Sequence, residues 1–174
     1  MDFLTLATER YSVRNFDWAK PVEKEKIDKI IEAARVAPTA VNYQAFKIWV
    51  IESREAKEKL AQTNHFPFVN KAPVVFVVGG ELAGSWKRGA DGHDFVDVDT
   101  AIAATHMMLE IHDLGLGTTW VGRFDAEKLK TLFPRMKGYN LIRIFGVGYP
   151  AADSEPVKGW HDKYKDTEEL AEFL

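Results

Sequence analysis

The sequence has no cysteine among its 174 residues. This absence excludes disulfide bonds, thiolate zinc sites, cysteine-held iron–sulfur clusters and cysteine nucleophiles. Long apolar runs are also missing, because no window approaches the roughly 20 residues that a membrane-spanning helix needs. The first residues carry an acid at Asp2 and no extended apolar stretch, which is unlike a secretory signal. We therefore expect a cytoplasmic protein.

An excess of charge of one sign is absent too. The 23 Lys and Arg residues against 26 Asp and Glu residues give a net charge of −3. This balance argues against a nucleic-acid partner, since such proteins usually present a basic face. The hydrophobic fraction of 46% and charged fraction of 28% are those of a globular protein. A chain of this length fits one domain, so we expect a single domain over 1–174.

Hydrophobic periodicity predicts a mixture of helices and strands without regular βαβ alternation. Strands are predicted over 46–50, 74–78, 118–121 and 141–147. Helices are predicted over 2–8, from Pro21 at the N1 position to Pro38, over 55–62, over 100–114 behind an Asp99 cap, and from an Asp125 cap to Phe133.

Two features indicate that a single copy cannot bury all of its apolar surface. The helix predicted over 100–114 is apolar on almost every side and must be covered on most of them; Gly115 is its expected C′ residue. Residues 160–174 are expected to form a C-terminal arm that ends in Phe173 and Leu174. We therefore expect an intertwined homodimer in which arms cross over.

Residues 79–96 are predicted to form a long loop. Five glycines between positions 79 and 92 surround Trp86, Lys87 and Arg88. Loops of this length within a compact domain are often lids over functional sites. We expect a lid here.

Arg10, Ser12 and Arg14 follow the first predicted helix at every second position. Alternate residues of an extended segment point to the same side. Two guanidinium groups and a hydroxyl on one side suit a phosphate. The alternative is three solvated polar side chains.

Two further segments offer polar or glycine-rich backbone. Residues 37–44 (APTAVNYQ) carry donors and acceptors that suit the edge of a flat heteroaromatic ring, although a simple turn also explains them. Residues 115–122 (GLGTTWVG) contain glycines that allow close approach to a ligand. A helix cap explains Gly115 completely but Gly122 less well.

Other site classes are not favoured. The run 146–151 (GVGYPA) mimics a dinucleotide fingerprint, but Pro150 and the polar residues after it cannot open the required helix. Neither a G-x-S-x-G elbow nor a P-loop is present. The acids and histidines between His93 and His112 lack metal-ligand spacing, and caps or solvated charges explain them better, so we expect no metal.

Taken in order, these segments resemble the nitroreductase family of FMN-dependent oxidoreductases. The resemblance rests on the R-x-S-x-R start, the A-P-T-x-x-N-x-Q loop, Ala72-Pro73, the helix leading into G-L-G and W-V-G, and the late G-V-G-Y-P turn. Each motif is weak alone, but their order and spacing match from Phe3 to about Lys158. The resemblance implies an α+β homodimer with a central mixed or antiparallel sheet flanked by helices, and FMN at the subunit interface.

The resemblance also implies a set of cofactor-binding residues. Arg10 and Ser12 would hold the FMN phosphate, with Lys158 closing on it, and Arg14 would stabilise charge at flavin N1 and O2. Thr39, Ala40 and Asn42 would reach the partner's flavin, Asn64 would contact the ring, and Val121 and Gly122 would offer backbone groups near N5. Tyr11 and Pro38 complete the set. No protein acid or base is obligatory, since the flavin carries out the hydride chemistry.

The implied activity is transfer of hydride from NAD(P)H through the flavin to nitroaromatic, quinone or similar flat acceptors, in a ping-pong sequence. Two alternatives remain open: a dedicated flavin-dependent dehydrogenase or dehalogenase of the same fold, and a flavin-binding protein without turnover. The first would need charged substrate anchors in the lid, where Lys87 and Arg88 are the candidates. Ala45 stands where the family often has Pro, and Lys158 lacks a second cation beside it.

Overall fold

The structure is a computed structural model that describes residues 2–174. Its centre is a four-stranded antiparallel sheet in the order β1-β2-β4-β3. The strands are β1 (Phe46–Ile51), β2 (Val74–Glu81), β3 (Gly117–Thr118) and β4 (Tyr139–Gly148). The α+β fold with an antiparallel sheet is as predicted.

Residues 2–174 also form seven α-helices and two 3-10 turns. The helices are α1 (Phe3–Glu9), α2 (Lys24–Arg35), α3 (Arg54–Leu60), α4 (Pro67–Asn70), α5 (Val96–Asp113), α6 (Ala126–Leu132) and α7 (Thr167–Leu170), and the turns are Ala40–Asn42 and Pro134–Met136. Within residues 2–174, no helix combines the length and hydropathy that crossing a membrane requires.

Strand β2 explains why its sequence is an unbroken apolar run. Phe76 and Val78 face a core completed by α2 and α5, whereas Val75 and Val77 face a second core that includes Leu60 and Leu129 of α3 and α6. A strand covered on both faces has no solvent side and therefore no polar alternation.

The predicted loop 79–96 is shorter than expected. Gly79 and Gly80 belong to β2, and Val96 begins α5, so the segment outside regular elements is 82–95. A Cβ on Gly80 would lie 2.4 Å from Val96 Cγ2 and 2.6 Å from Thr100 Oγ1. The glycine is thus required by the close approach of α5 to the sheet and not by a turn.

Segment 82–95 folds back on itself as a hairpin. Lys87 and Asp94 pair as an antiparallel bridge, and the Phe95 N–H donates to the Trp86 carbonyl at 3.0 Å. The Trp86 and Phe95 rings meet edge to face, with centroids 4.9 Å apart. This segment is called the 82–95 hairpin below.

Two predicted helix starts are wrong. Helix α2 begins at Lys24 behind Glu23, which leaves Pro21 outside it. Helix α5 begins at Val96, whose N–H is capped by the Asp94 carboxylate at 2.9 Å, so Asp99 lies inside the first turn.

The predicted end of α5 is confirmed. Gly115 has φ +72°, its N–H donates to His112 O at 2.9 Å, and the Leu116 N–H donates to Ile111 O at 3.0 Å. This pair of bonds is the Schellman motif, which requires the left-handed conformation that glycine adopts freely.

Candidate cofactor site

The segment after α1 lies beside β3. Ser12 forms a parallel bridge with Thr118, and the Val13 N–H donates to the Thr118 carbonyl at 3.0 Å. The Thr119 hydroxyl returns a bond to Val13 O at 2.5 Å. These contacts extend the sheet by a short strand and fix the backbone between Arg10 and Arg14.

Beyond Arg14 the same segment runs beside the chain that leaves β4. The Ala151 N–H donates to Asn15 O at 3.1 Å, and the Asp17 N–H donates to Tyr149 O at 2.8 Å. Within the segment, Arg14 Nη1 donates to Ser12 O at 3.0 Å. Arg14 is thereby held against its own strand, with the other guanidinium nitrogens able to reach a ligand.

A turn at 157–161, which carries Lys158, packs against the same segment. Trp160 lies below the Arg14 guanidinium, 6.0 Å from Cζ to the ring centroid. His161 packs edge to face on Tyr11 at 6.2 Å, and the Tyr11 hydroxyl donates to Ser154 O at 3.0 Å. The structure therefore gathers the segment with Arg10, Tyr11, Ser12 and Arg14, together with the turn that carries Lys158.

Val121 and Gly122 follow β3 along the same edge, but only one of them has a free backbone donor. The N–H and the carbonyl of Val121 both pair with Ile144, at 3.2 and 2.9 Å. No hydrogen bond within residues 2–174 uses the Gly122 N–H. Gly122 fits the predicted backbone contact, whereas Val121 is committed to the sheet.

Arg143 lies beside Gly122 and was missed by the sequence reasoning. It stands in β4 among apolar residues, and its guanidinium carbon is 4.9 Å from the Trp120 ring centroid. Burial lowers the pKa of Arg143 below its ordinary value, partly offset by the charge of Asp97. A single cation among the apolar residues of the strand predicted over 141–147 was the available signal.

The loop 37–44 is held to α5 rather than to the 10–14 segment. The Ala40 N–H donates to Asp99 Oδ1 at 3.0 Å, and the Gln44 N–H donates to Thr39 Oγ1 at 3.0 Å. Pro38 and Asn42 are exposed, and Thr39 and Ala40 are partly so. Within residues 2–174, no hydrogen bond joins this loop to the 10–14 segment.

The loop is also strained. Val41, Asn42 and Gln44 have φ values of +46°, +56° and +50°. A β-branched residue such as Val41 in this region is a genuine outlier, and such strain persists only where surrounding contacts enforce it. The Asp99 carboxylate, 2% exposed, is one such contact.

Asn64 is 4% exposed and its amide is used inside the protein. Its Nδ2 donates to Asn70 Oδ1 at 3.0 Å and to Leu60 O at 3.2 Å, and its Oδ1 accepts from the Phe66 N–H at 3.0 Å. The structure does not gather Asn64 with the other predicted residues and gives it a turn-stabilising role.

The acids and histidines of 93–112 serve local structure. Asp94 caps α5, Asp97 accepts from Asn140 Nδ2 at 2.6 Å, and His93 packs against Phe95. Among residues 2–174, no three His, Asp or Glu side chains converge as metal ligands.

Comparison with known proteins identifies the same family along most of the chain. The family model described as "Nitroreductase family" matches residues 7–65 and 60–149. A protein of Methanothermobacter thermautotrophicus, provisionally named NADH dehydrogenase/NAD(P)H nitroreductase, is 29% identical over 161 residues, covering 87% of this chain and 78% of that protein. The NAD(P)H-dependent FMN reductase of Bacillus subtilis is 27% identical over 160 residues, covering 83% of this chain and 64% of that protein.

A solved structure agrees with these relatives. The crystal structure of a nitroreductase family protein from Clostridium difficile 630 superposes with a TM-score of 0.89 at 32% sequence identity. The superposition covers 99% of this chain and 98% of that chain. The likeness therefore extends over the arrangement of the elements as well as the motifs.

Proposed function

This chain belongs to the nitroreductase family, and on that basis we propose that it is an FMN-dependent oxidoreductase that transfers hydride from NAD(P)H through the flavin to nitroaromatic, quinone or similar flat acceptors. We propose a ping-pong sequence, in which donor and acceptor use one open site in turn. The observation that carries the proposal is the convergence of the 10–14 segment, the Lys158 turn and Gly122 along one sheet edge.

The residues at this edge fit the phosphate end of FMN. Arg10, Ser12 and Lys158 offer two cations and a hydroxyl from segments that pack together. Guanidinium groups bind phosphate through paired, charge-assisted hydrogen bonds. Lys158 is exposed in a short turn, so it can close on a bound phosphate without disturbing the core.

The residues farther along the edge fit the ring. Bound FMN supplies the hydride chemistry. Arg14 is oriented by its bond to Ser12 O. It would supply the fixed cation that stabilises negative charge developing at N1 and O2 of the bound flavin. The Gly122 N–H is free to donate to the opposite edge of the ring, and the absence of a Cβ there lets the backbone approach closely.

We also propose a homodimer, because the loop with Thr39, Ala40 and Asn42 makes no hydrogen bond with its own 10–14 segment in the described chain and the outer face of α5 lacks a cover. That face consists of Val98, Ala101, Ile102, Thr105, His106 and Leu109. Val98 is 40% exposed, and Phe3 of the adjacent α1 is 65% exposed. A second copy would cover this face and bring its loop to the site.

The alternatives gain no comparable support. Lys87 and Arg88 were the candidate anchors of a dedicated dehydrogenase or dehalogenase. Arg88 Nε instead binds Asp91 at 2.8 Å, and Lys87 lies 3.9 Å from Asp94, so both cations stabilise the 82–95 hairpin itself. We propose that this hairpin influences acceptor choice through its shape and aromatic rings.

Anaerobic titration of the purified protein tests the proposed function. The flavin absorption bands should bleach on addition of NADH or NADPH and return when a nitroaromatic or quinone is added. Bound flavin that neither nucleotide bleaches would favour the flavin-binding alternative. Protein that takes up no FMN would contradict the proposal.

A further inference from the structure

We propose that Arg143 forms a recognition site for a carboxylate on the aromatic acceptor, so that this enzyme favours acidic flat acceptors over neutral ones of the same shape. The inference rests on the proposed function, because it assumes that the ring of the cofactor lies against Gly122. It concerns a residue that neither the motifs nor the predicted cofactor contacts include.

The first argument is electrostatic. Arg143 is half-buried, and no ion pair among residues 2–174 involves it. The nearby Asp97 carboxylate is engaged by Asn140 instead. Removing a cation from water without pairing it is costly, and burial accordingly lowers the pKa of this guanidinium. An arginine retained under that cost is poised to bind an anion.

The second argument is orientation. Nη1 donates to the carbonyl of Ile142, and the Trp120 ring lies against the guanidinium at 4.9 Å. Nε is buried and has no hydrogen-bond partner among residues 2–174. Nη2 also has no partner among residues 2–174, and it is the nitrogen left to bind a ligand. Aromatic stacking and one backbone bond therefore fix the side chain before any ligand arrives.

The third argument is proximity to the proposed ring site. A Cβ built on Gly122 would lie 3.1 Å from Arg143 Nη1, so the guanidinium and the Gly122 backbone are immediate neighbours. Because we propose that Gly122 lies against the flavin ring, an acceptor stacked on that ring would bring its substituent close to the guanidinium. A carboxylate would gain a charge-assisted hydrogen bond there, whereas a neutral carboxamide would lose the charge interaction.

Paired ligands separate charge from shape. We expect the oxidised, FMN-loaded protein to bind benzoate at least ten-fold more tightly than benzamide, measured by calorimetry and by the shift of the flavin spectrum. Arg143→Met, which keeps a stem against Trp120, should abolish that preference, and Arg143→Lys should retain part of it. Arg135→Gln, an exposed change of the same net charge far from this edge, is the matched control and should keep the full preference.

Turnover provides an independent comparison. With 4-nitrobenzoate and 4-nitrobenzamide, the parent should show the lower KM for the acid, and Arg143→Met should raise that KM with little change in kcat. Equal affinity of the parent for benzoate and benzamide, or an unchanged preference in Arg143→Met, would overturn the inference. Binding needs no turnover, so loss of nitro reduction for both acceptors would count against the proposed function alone.

Discussion

At the scale of single residues, the chemistry depends on how side chains are held in place. Arg14 was identifiable from the sequence because alternating positions beside a helix end suggested one common side. What the sequence did not contain was the bond from Arg14 Nη1 to Ser12 O or the ring of Trp160 beneath it. The bond depends on the local backbone conformation, and the contact with Trp160 depends on long-range folding.

Arg14→Ala should slow flavin reduction by NAD(P)H by about ten-fold or more, because a preorganised charge at the site of developing negative charge is lost. FMN affinity should fall by a smaller factor, since the phosphate contacts stay. Stopped-flow bleaching and flavin titration measure the two effects, with Arg14→Lys as the charge-preserving comparison. Equal bleaching rates in variant and parent would remove the assigned role.

Asp99→Ala should destabilise the protein by about 1–3 kcal/mol, because the buried Ala40 N–H loses its acceptor. Asp99→Asn keeps an oxygen at the same place and should cost less. Urea unfolding gives the stability, and hydrogen exchange at Ala40 reports on the loop directly. Unchanged exchange in Asp99→Ala would show that the carboxylate does not hold the loop.

At the scale of elements, periodicity predicted most helices and strands because one face of each must be buried. The wrong predictions concern residues whose sequence neighbours are compatible with more than one structural role. Asp99 looks like a helix cap but binds the loop at Ala40, while Asp94 provides the cap. Gly80 looks like part of a loop but makes room for α5. In both cases a distant element decides, which a single sequence does not reveal.

Gly117→Ala should loosen the edge that carries the site. A Cβ there would lie 2.6–2.9 Å from three atoms of Val13, so the 10–14 segment must shift. We expect a loss of about 1–3 kcal/mol in stability, as for other overpacked sites, and weaker FMN binding. Gly89→Ala meets no atom within 4 Å and is the control. If Gly117→Ala bound flavin as tightly as the parent does, the packing of Gly117 against Val13 would not be needed for the cofactor site.

The last turn of α5 should make stability depend on pH. Burial lowers the pKa of His112 in the folded state below its ordinary value of 6.5. Above 6.5 both states are neutral there; as pH falls below 6.5 the unfolded state binds the proton first, so stability falls. His112→Gln should flatten this part of the curve. The free energy of unfolding is measured by urea at each pH for parent and variant, and their difference removes the separate titration of Glu110. Parallel plots of this free energy against pH would contradict the assignment.

At the scale of the whole molecule, the resemblance of the sequence motifs predicted the fold class, whereas we propose that the complete site is shared between two copies. The 37–44 loop and the 10–14 segment carry complementary groups without a hydrogen bond between them in the described chain. The sequence indicated a dimer only indirectly, through an all-apolar helix and an apolar tail. Phe173 remains 99% exposed in the single copy.

Ala101→Arg should disrupt the dimer, because a charged side chain on the outer face of α5 would be buried without a partner. Ala101 is only partly buried in one copy, so the fold of the protomer should persist, as circular dichroism can verify. Flavin should be lost together with the dimer. Thr131→Arg places the same charge on the exposed side of α6 and should leave both unchanged. A flavin-loaded monomer of Ala101→Arg would show that flavin binding does not need the dimer.

The central claim is that one protomer's arginine segment and the other's loop hold a shared FMN. Size-exclusion chromatography with light scattering and visible absorbance tests it in one run. We predict that the flavin bands coelute with a species of twice 19.7 kDa and are absent from any monomer peak. Flavin bands on a monomer, or a native dimer that stays colourless after incubation with FMN, would contradict it.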